Sequence, residues 1–467
     1  MPGNGAAAEA AAILEEPYEA INIRNFEKVP QIQGISEELR QDIRVVAQVL
    51  PFKSNRYVMD HLIDWDRVPE DPMFRLTFPQ RDMLDPEHYE QMAALLASGA
   101  DNAEIRATAN EIRLTLNPHP AGQMEHNVPM LNGKPLQGMQ HKYRETVLFF
   151  PSQGQTCHAY CTFCFRWPQF VGMEGLKFAM REGELLRDYV EEHPEISDIL
   201  FTGGDPLIMK TRILRGYIEP LLEPGRAPNI STIRIGSKAL AYWPHRLITD
   251  DDAEELLELF RKVVDSGRQL AMMSHFNHPV EVEAPPALEA IRVLRETGAQ
   301  IRTQTPLLKH INDDPDALAR MWRLQAQTGC IPYYLFVARD TGAKRYFELP
   351  LWRCWEIFRE AYSKVSGVAR TVRGPSMSAT PGKVQVLGVT EAAGEKVMVL
   401  RMLQGRNPDW VGRPFFAKYS ETASWLDELE PAFGESEFFY DRELNELLVG
   451  GGSPWSKDEL ALPLVGG

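Results

Sequence analysis

Several features are scarce in this 467-residue sequence. It contains no run of eighteen or more apolar residues, which excludes a conventional membrane-spanning helix. Basic residues are the minority, 50 Lys and Arg against 65 Asp and Glu. The net charge of −15 argues against a nucleic-acid partner, because phosphate contacts are made by cations. Cysteine is rarer still, with five in all and three of them within eight residues. A disulfide framework needs an even, dispersed set in a small secreted chain. Clustered thiols point instead to metal or redox chemistry in a reducing compartment. The opening segment MPGNGAAAEAAAILEE lacks the basic stretch of a secretory signal and reads as a loose tail, as does GGGSPWSKDELALPLVGG. A cytoplasmic protein is expected. No internal repeat recurs at a solenoid period.

What remains is an ordinary globular composition, 44% hydrophobic and 25% charged. The length calls for two or three domains, or one barrel with extensions. Residues 1–140 read as a helical extension without a catalytic motif. ISEELRQDIRVVAQVL (35–50) has Ser36 as N-cap, and DPEHYEQMAALLASGA (85–100) ends at a glycine. From about 145 the rhythm changes to short apolar runs at 145–151, 197–203, 231–237, 269–276, 299–308 and 331–338. Amphipathic pieces such as 252–267 and 285–298 lie between them. Strand alternating with helix predicts parallel strands joined by crossovers. The expected class is α/β, a partial (β/α)₆ barrel over 141–345, with functional residues at the C-terminal strand ends. A doubly wound sheet is the alternative. Residues 346–467 form a C-terminal region in which VQVLGV and KVMVLRML pair as strands and the rest caps the barrel.

Cys157, Cys161 and Cys164 form a C-x₃-C-x₂-C loop directly after the first expected strand. Three thiolates on one tight loop can ligate three irons of a [4Fe–4S] cubane and leave the fourth open. An open iron can chelate the amino and carboxylate groups of S-adenosylmethionine (SAM), and electron transfer then releases a 5′-deoxyadenosyl radical. Structural zinc is the blander reading, but it needs a fourth ligand, His158 or a distant residue. Cys330 and Cys354 form no pair and read as core residues. Gly203-Gly204-Asp205-Pro206 closes the second expected strand. There two glycines admit a ligand close to the backbone, and the carbonyls and carboxylate can receive an ammonium group.

These blocks, taken in order, resemble the radical SAM aminomutases typified by lysine 2,3-aminomutase. The likeness covers about 64–387 and rests on LIDWDRVPEDP (62–72), HKYRETVL (141–148), the cysteine loop, FTGGDP, IRIGS (233–237), HFNHP (275–279), PLLKHIND (306–313), PYY (332–334) and PGKV (381–384). The resemblance implies a radical SAM barrel, SAM, one [4Fe–4S] cluster and pyridoxal phosphate (PLP). It also implies a 1,2-shift of an amino group within an amino acid, and an electron donor such as flavodoxin or ferredoxin. Relatives suggest a homo-oligomer. By position Lys383 matches the PLP lysine, the Schiff-base residue such chemistry needs. Arg166 matches the arginine that receives the substrate carboxylate. Lys142 and Tyr143 match the Arg-Tyr pair beside PLP, Gly236 and Ser237 fall on a SAM-contacting strand, and Phe163 is placed to pack on adenine. His275, Asn277 and His278 are either site residues or polar barrel groups bonded to one another.

The pattern departs from the family at Thr162 and Thr146, which replace arginines, and at Ser378–Gly382, which replaces a run of glycines. Of the two aspartates that grip the lysine side-chain ammonium, one is matched by Asp313 and the other is replaced by Ser376. A desolvated ammonium needs compensating charge, so L-lysine is expected to be a poor substrate. Two other readings stay open: a radical SAM enzyme that works without PLP, and a non-catalytic Fe–S protein.

Overall fold

The computed structural model describes residues 16–117, 127–172 and 178–449; the two terminal tails read from the sequence, Glu16 apart, lie outside the described residues. Two short pairs, β1 (Ala20–Asn22) with β2 (Lys53–Asn55) and β3 (Met130–Leu131) with β4 (Lys134–Pro135), flank one large sheet. The large sheet comprises β5 (Met139–Tyr143), β6 (Thr146–Phe149), β7 (Asp198–Phe201), β8 (Thr232–Ser237), β9 (Gln269–His275), β10 (Gln300–Leu307), β11 (Ile331–Val337), β12 (Arg373–Ser378), β13 (Gly382–Ala392), β14 (Glu395–Gly405) and β15 (Pro414–Lys418). Neighbours in space are neighbours in sequence throughout, and β6 to β12 are all parallel.

That order decides between the two expected topologies. Crossovers between parallel strands share one hand, so a strand order that never reverses puts every crossover helix on the same face. A doubly wound sheet requires a reversal; none occurs here. The opposite face is therefore an interior, as in a barrel, and the sheet ends openly at β5 and β15. Six crossovers carry the helices Gly183–Glu192, Thr211–Leu222, Ala253–Asp265, Pro285–Glu296, Pro315–Gln327 and Leu351–Ser363.

Alternation along the strands sorts the side chains. In β8, Ile233 and Ile235 are buried beneath the helices, whereas Arg234 and Gly236 are half-buried on the other face. The pairing carries this inner row across the sheet, from Leu200 to Arg234, Ala271 and Gln300. One register step further on it runs from Gly236 to Met273 and Arg302. The helices obey their sequence signals. Ser36 Oγ accepts from Leu39 N at 3.1 Å to cap Glu37–Val49, and Gly267 and Gly298 take φ of +86° and +85° just past their helices. The six expected strands are β6 to β11. β12 is a seventh parallel strand, and its RGPSMS sequence carries the glycine and proline that mark turns. The strands expected in VQVLGV and KVMVLRML pair as β13 and β14, turning at Ala393 and Gly394 with φ of +50° and +80°. Positive φ at both central residues fits the twist of a tight hairpin.

Apolar residues of the N-terminal extension, from Ile21 to Ile112, share one continuous core with the barrel. A second core joins Val337 and Leu351 to Met377, Val384, Leu400 and Trp425 beneath the last strands. No helix among the described residues is long and apolar enough to cross a membrane.

Candidate active site

The segment after β6 is held by backbone rather than by its cysteines. Tyr160 N donates to Lys53 O at 2.7 Å and Thr162 N to Leu76 O at 3.0 Å, while Lys53 Nζ donates to Cys157 O at 2.7 Å. Thr162, the position of a family arginine, instead donates its hydroxyl to Arg75 O at 2.8 Å. Tyr18 and Asn55 both bond to His158 O, at 2.8 and 3.3 Å. The extension that carries no catalytic motif thus frames the cysteine loop. None of the three thiols is in a disulfide. Burial pushes all three thiol pKa values up, Cys161 to about 12, and the thiols repel one another as anions. Without metal the three are neutral thiols, and cations that bind them must displace their protons, as a cluster of irons does. Among the described residues no three His, Cys, Asp or Glu side chains converge on one point as a single zinc ion requires. His158 packs edge-on against Tyr18 with ring centroids 5.9 Å apart.

GGDP lies directly behind this loop. A Cβ on Gly204 would sit 2.4 to 2.6 Å from the backbone of Thr156, and one on Gly203 would sit 2.4 Å from Gln155 Nε2. Gly204 N donates to Gly154 O and Asp205 N to Thr156 O, at 3.0 and 2.8 Å. These glycines therefore admit the cysteine loop itself. Gly204→Ala is expected to displace that loop and to lower the iron and sulfide bound after anaerobic reconstitution by at least half. A variant that takes up a full cluster would refute this account of the glycine.

Gly236 differs: a Cβ there would make only ordinary van der Waals contacts, the nearest with Thr202 Oγ1 at 3.6 Å, so no clash demands a glycine. The Asp205 carboxylate accepts from Leu207 N, Ser237 Oγ and Lys238 N at 2.9, 3.0 and 2.8 Å. Burial raises its pKa to about 6 against the lowering by these bonds. Its oxygens and the Ser237 hydroxyl are spent on joining the ends of β7 and β8. Phe163 is half-buried and meets Phe347 edge-on at 6.3 Å. Lys238, which the sequence reading passed over, donates to Glu281 Oε1 at 2.6 Å and Asn277 Oδ1 at 2.8 Å. Asn277 Nδ2 reaches Thr305 Oγ1 at 3.0 Å, His275 Nε2 lies 2.6 Å from Gln304 Nε2, and His278 begins the helix Pro279–Glu283. The three HFNHP polar groups thus bond to other residues rather than to one another.

Lys383 begins β13 opposite Ser378, at the C-terminal end of the parallel strands, where the cysteine loop also lies. Its Nζ sits 4.2 Å from the centroid of Tyr334 and 5.4 Å from that of Phe336, whose rings stack 5.0 Å apart. Burial, with Arg234 and Arg373 repelling, lowers its pKa to about 7. The 378–381 turn is gripped by cations. Lys142 Nζ donates to Ala379 O at 2.7 Å, Arg339 Nη1 to Ser378 O at 2.8 Å and Arg406 Nε to Thr380 O at 2.8 Å. Burial drives the Lys142 pKa well down, helped by Arg406, Arg339 and Lys383. Lys142, Lys383 and Arg339 keep open surface yet are strongly desolvated. Lys142, Arg339 and Arg406 form a cation-rich cluster around the 378–381 turn, beside Lys383. Tyr143 lies there too, with the Lys142 ammonium 5.4 Å from its ring. A phosphate-bearing cofactor fits this donor set.

Arg166 lies with its Cζ 4.3 Å from the Phe150 ring centroid, and its Nε and Nη2 are buried without a hydrogen-bond partner. Thr146 donates to Asp198 Oδ2 at 3.1 Å, and Asp198 pairs with Arg234 at 2.5 Å. Asp313 is half-buried on the loop after β10, where its charge acts on His310. No hydrogen bond or ion pair among the described residues joins it to Arg166, Ser376 or Lys383. Ser376 is buried and donates to Leu335 O at 3.3 Å. Cys330 and Cys354 are core residues, 4% and 1% exposed.

No protein-family model matches the chain. A protein of Aquifex aeolicus described as "Putative L-lysine 2,3-aminomutase" is 32% identical over 397 residues, which cover 85% of this chain and 92% of that one. The L-lysine 2,3-aminomutase of Escherichia coli is 30% identical over 256 residues, 53% of this chain and 69% of that one. Among solved structures, a radical SAM methyltransferase from Sphaerobacter thermophilus aligns with a TM-score of 0.37 at 16% identity, over 61% of this chain and 93% of that one. Identity maintained across nearly the whole of the Aquifex relative shows that this chain belongs to the lysine 2,3-aminomutase family of radical SAM enzymes.

Proposed function

We propose that the protein is a cytoplasmic, PLP-dependent 2,3-aminomutase of an α-amino acid other than L-lysine, supplied with electrons by a donor such as flavodoxin or ferredoxin. The observation that carries this reading is Lys383, an amine with its pKa brought to about 7, held at the rim of a cation-lined interior on the same barrel end as the cysteine loop. An amine that is substantially neutral at physiological pH is a competent nucleophile toward an aldehyde. Cys157, Cys161 and Cys164 would hold the cluster, the end of β8 at Gly236 would border SAM, and Lys142 and Arg406 would face the PLP phosphate. Bound there, the cluster and SAM supply a 5′-deoxyadenosyl radical, and PLP supplies a conjugated carrier for the migrating amino group.

The chain's own residues do the rest. Arg166 presents two buried, unpartnered donors to the substrate α-carboxylate. Tyr334 and Phe336 wall the Lys383 amine from water. Lys142, Arg339 and Arg406 hold the 378–381 turn by its carbonyls, which replaces the anchoring that a glycine run offers. The loss of an acid at Ser376, with Asp313 joined to none of the site residues, supports the exclusion of lysine.

The test is borohydride reduction of anaerobically purified, PLP-supplied protein, followed by digestion and mass spectrometry. A pyridoxyl group on Lys383 is expected. Labelling at limiting PLP should be half-maximal near pH 7, and Arg373→Met should move that midpoint upward by removing one repelling cation. An unmodified Lys383 would overturn the PLP-dependent reading in favour of a radical SAM reaction that does without PLP.

A further inference from the structure

The cluster of cations beside Lys383 holds more positive charge than a phosphate and a substrate α-carboxylate use. Arg339 stands at the C-terminal end of β11, with its guanidinium 5.1 Å from the Phe165 ring centroid and 5.7 Å from that of Trp425. Its segment is tied to that of Arg166, because Trp167 Nε1 donates to Thr341 Oγ1 at 3.2 Å and Arg339 covers Phe165. Arg339 spends Nη1 on Ser378 O. Its Nε–H is buried and meets no acceptor, as are the Nε–H and Nη2 of Arg166. The edge of a guanidinium that includes Nε–H is one that docks a carboxylate with two parallel hydrogen bonds. Asp340 Oδ1 stands 3.9 Å from Arg339 Nε, which tempers the charge without occupying the donor.

The proposed function assigns Lys142 and Arg406 to a phosphate and Arg166 to one carboxylate. Arg339 remains as a second, desolvated guanidinium with an open donor edge. Ser376 adds no anion to the site, since its buried hydroxyl is donated to Leu335 O. A buried cation whose donors stay unmet is expensive, so a site built with two such cations is built for two anions on one ligand.

We infer that the substrate is a dicarboxylic α-amino acid, with Arg166 on its α-carboxylate and Arg339 on the carboxylate that ends its side chain. This rests on the aminomutase reading above and specifies its substrate class. Arg339 is the specificity-determining residue: it discriminates an acidic side chain from its amide isostere and from lysine.

The test is calorimetric titration of the reconstituted, PLP-loaded and unreduced protein, in which no turnover occurs. The probes are L-glutamate, L-aspartate, L-glutamine, L-asparagine and L-lysine. One of the two acids should bind about tenfold or more tightly than its own amide and than lysine, the factor a charge-assisted hydrogen bond supplies. Arg339→Gln should erase that preference, Arg339→Lys should restore part of it, and Arg166→Gln should weaken acid and amide alike. Equal binding of acid and amide, or tighter binding of lysine, would overturn the inference. So would an Arg339→Gln protein that loses affinity for every probe in the same proportion, because that would mark a structural role. If the preference is absent while Lys383 still carries the pyridoxyl group, only the substrate class fails. If the pyridoxyl group is absent, the aminomutase reading itself fails.

Discussion

Replacing Cys161 by alanine is expected to abolish cleavage of SAM to 5′-deoxyadenosine under anaerobic, reducing conditions, bringing it below detection. Cys161 is the middle cysteine of the three, with its Sγ 3.4 Å from Tyr242 Oη and Lys238 close enough to favour its thiolate. A cubane held by two thiolates on a loop is open at two irons and exchanges its iron readily. The variant should nevertheless fold, which makes the experiment decisive. The bonds that frame the loop run through main-chain atoms of Tyr160, Thr162 and Cys157, and truncation at Cβ leaves them intact. Far-ultraviolet circular dichroism should match that of the parent. Cys330→Ala serves as the control, since that thiol is buried in the core and should leave SAM cleavage unchanged. Sustained cleavage by the Cys161 variant would overturn the assignment of the loop as the cluster site.

The second large effect is expected from Glu281→Ala, at about 3–5 kcal/mol of lost stability, the usual result of unpairing a buried ion pair. Glu281 is fully buried and accepts from Lys238 Nζ at 2.6 Å, from His278 N at 3.0 Å and from Asn277 N. Lys238 is itself only 11% exposed at the side chain and has Asn277 Oδ1 as its other near partner. Without the carboxylate the ammonium keeps its desolvation and loses its counter-charge, and two main-chain donors lose their acceptor. The pair also ties the end of β8 to the turn after β9, where Gly236 and His275 stand. The loss should therefore be visible as a lower midpoint of denaturant unfolding together with weaker SAM binding. An unchanged midpoint would show that the ion pair contributes nothing net to this fold.

How far the sequence reaches depends on which physical signal each feature carries. β6 to β11 were legible because each is a compact apolar run followed by an amphipathic helix, and helix ends such as Gly267 and Gly298 follow local rules. β12 was not, because its place in the sheet is fixed by β11 and β13 while its own Gly374 and Pro375 signal a turn. In the site, the three cysteines stand in a motif whose chemistry depends on spacing, whereas Lys383 is singled out only by the family resemblance of PGKV. Lys238, Arg339 and Arg406 carry no such motif. Their significance lies in what they fail to pair with or what they reach across long stretches of chain, and those are properties of packing. Gly203 and Gly204 were read for a ligand and prove to be filled by the cysteine loop, a distinction that depends on a backbone more than forty positions away. Asp205 could be picked out as polar and well placed, yet only its three donors show that it is committed within the protein.

The uninterrupted sheet from β6 to β13 has a mechanical consequence. The strand that launches the cysteine loop and the strand that presents Lys383 are linked laterally by every intervening ladder, with no hinge between them. In the function proposed above, the source of the reactive species and the carrier of the migrating group would stand on one laterally continuous sheet, which would set their separation. A change in that separation would have to come from a shift of the ladders themselves rather than from a hinge between two bodies.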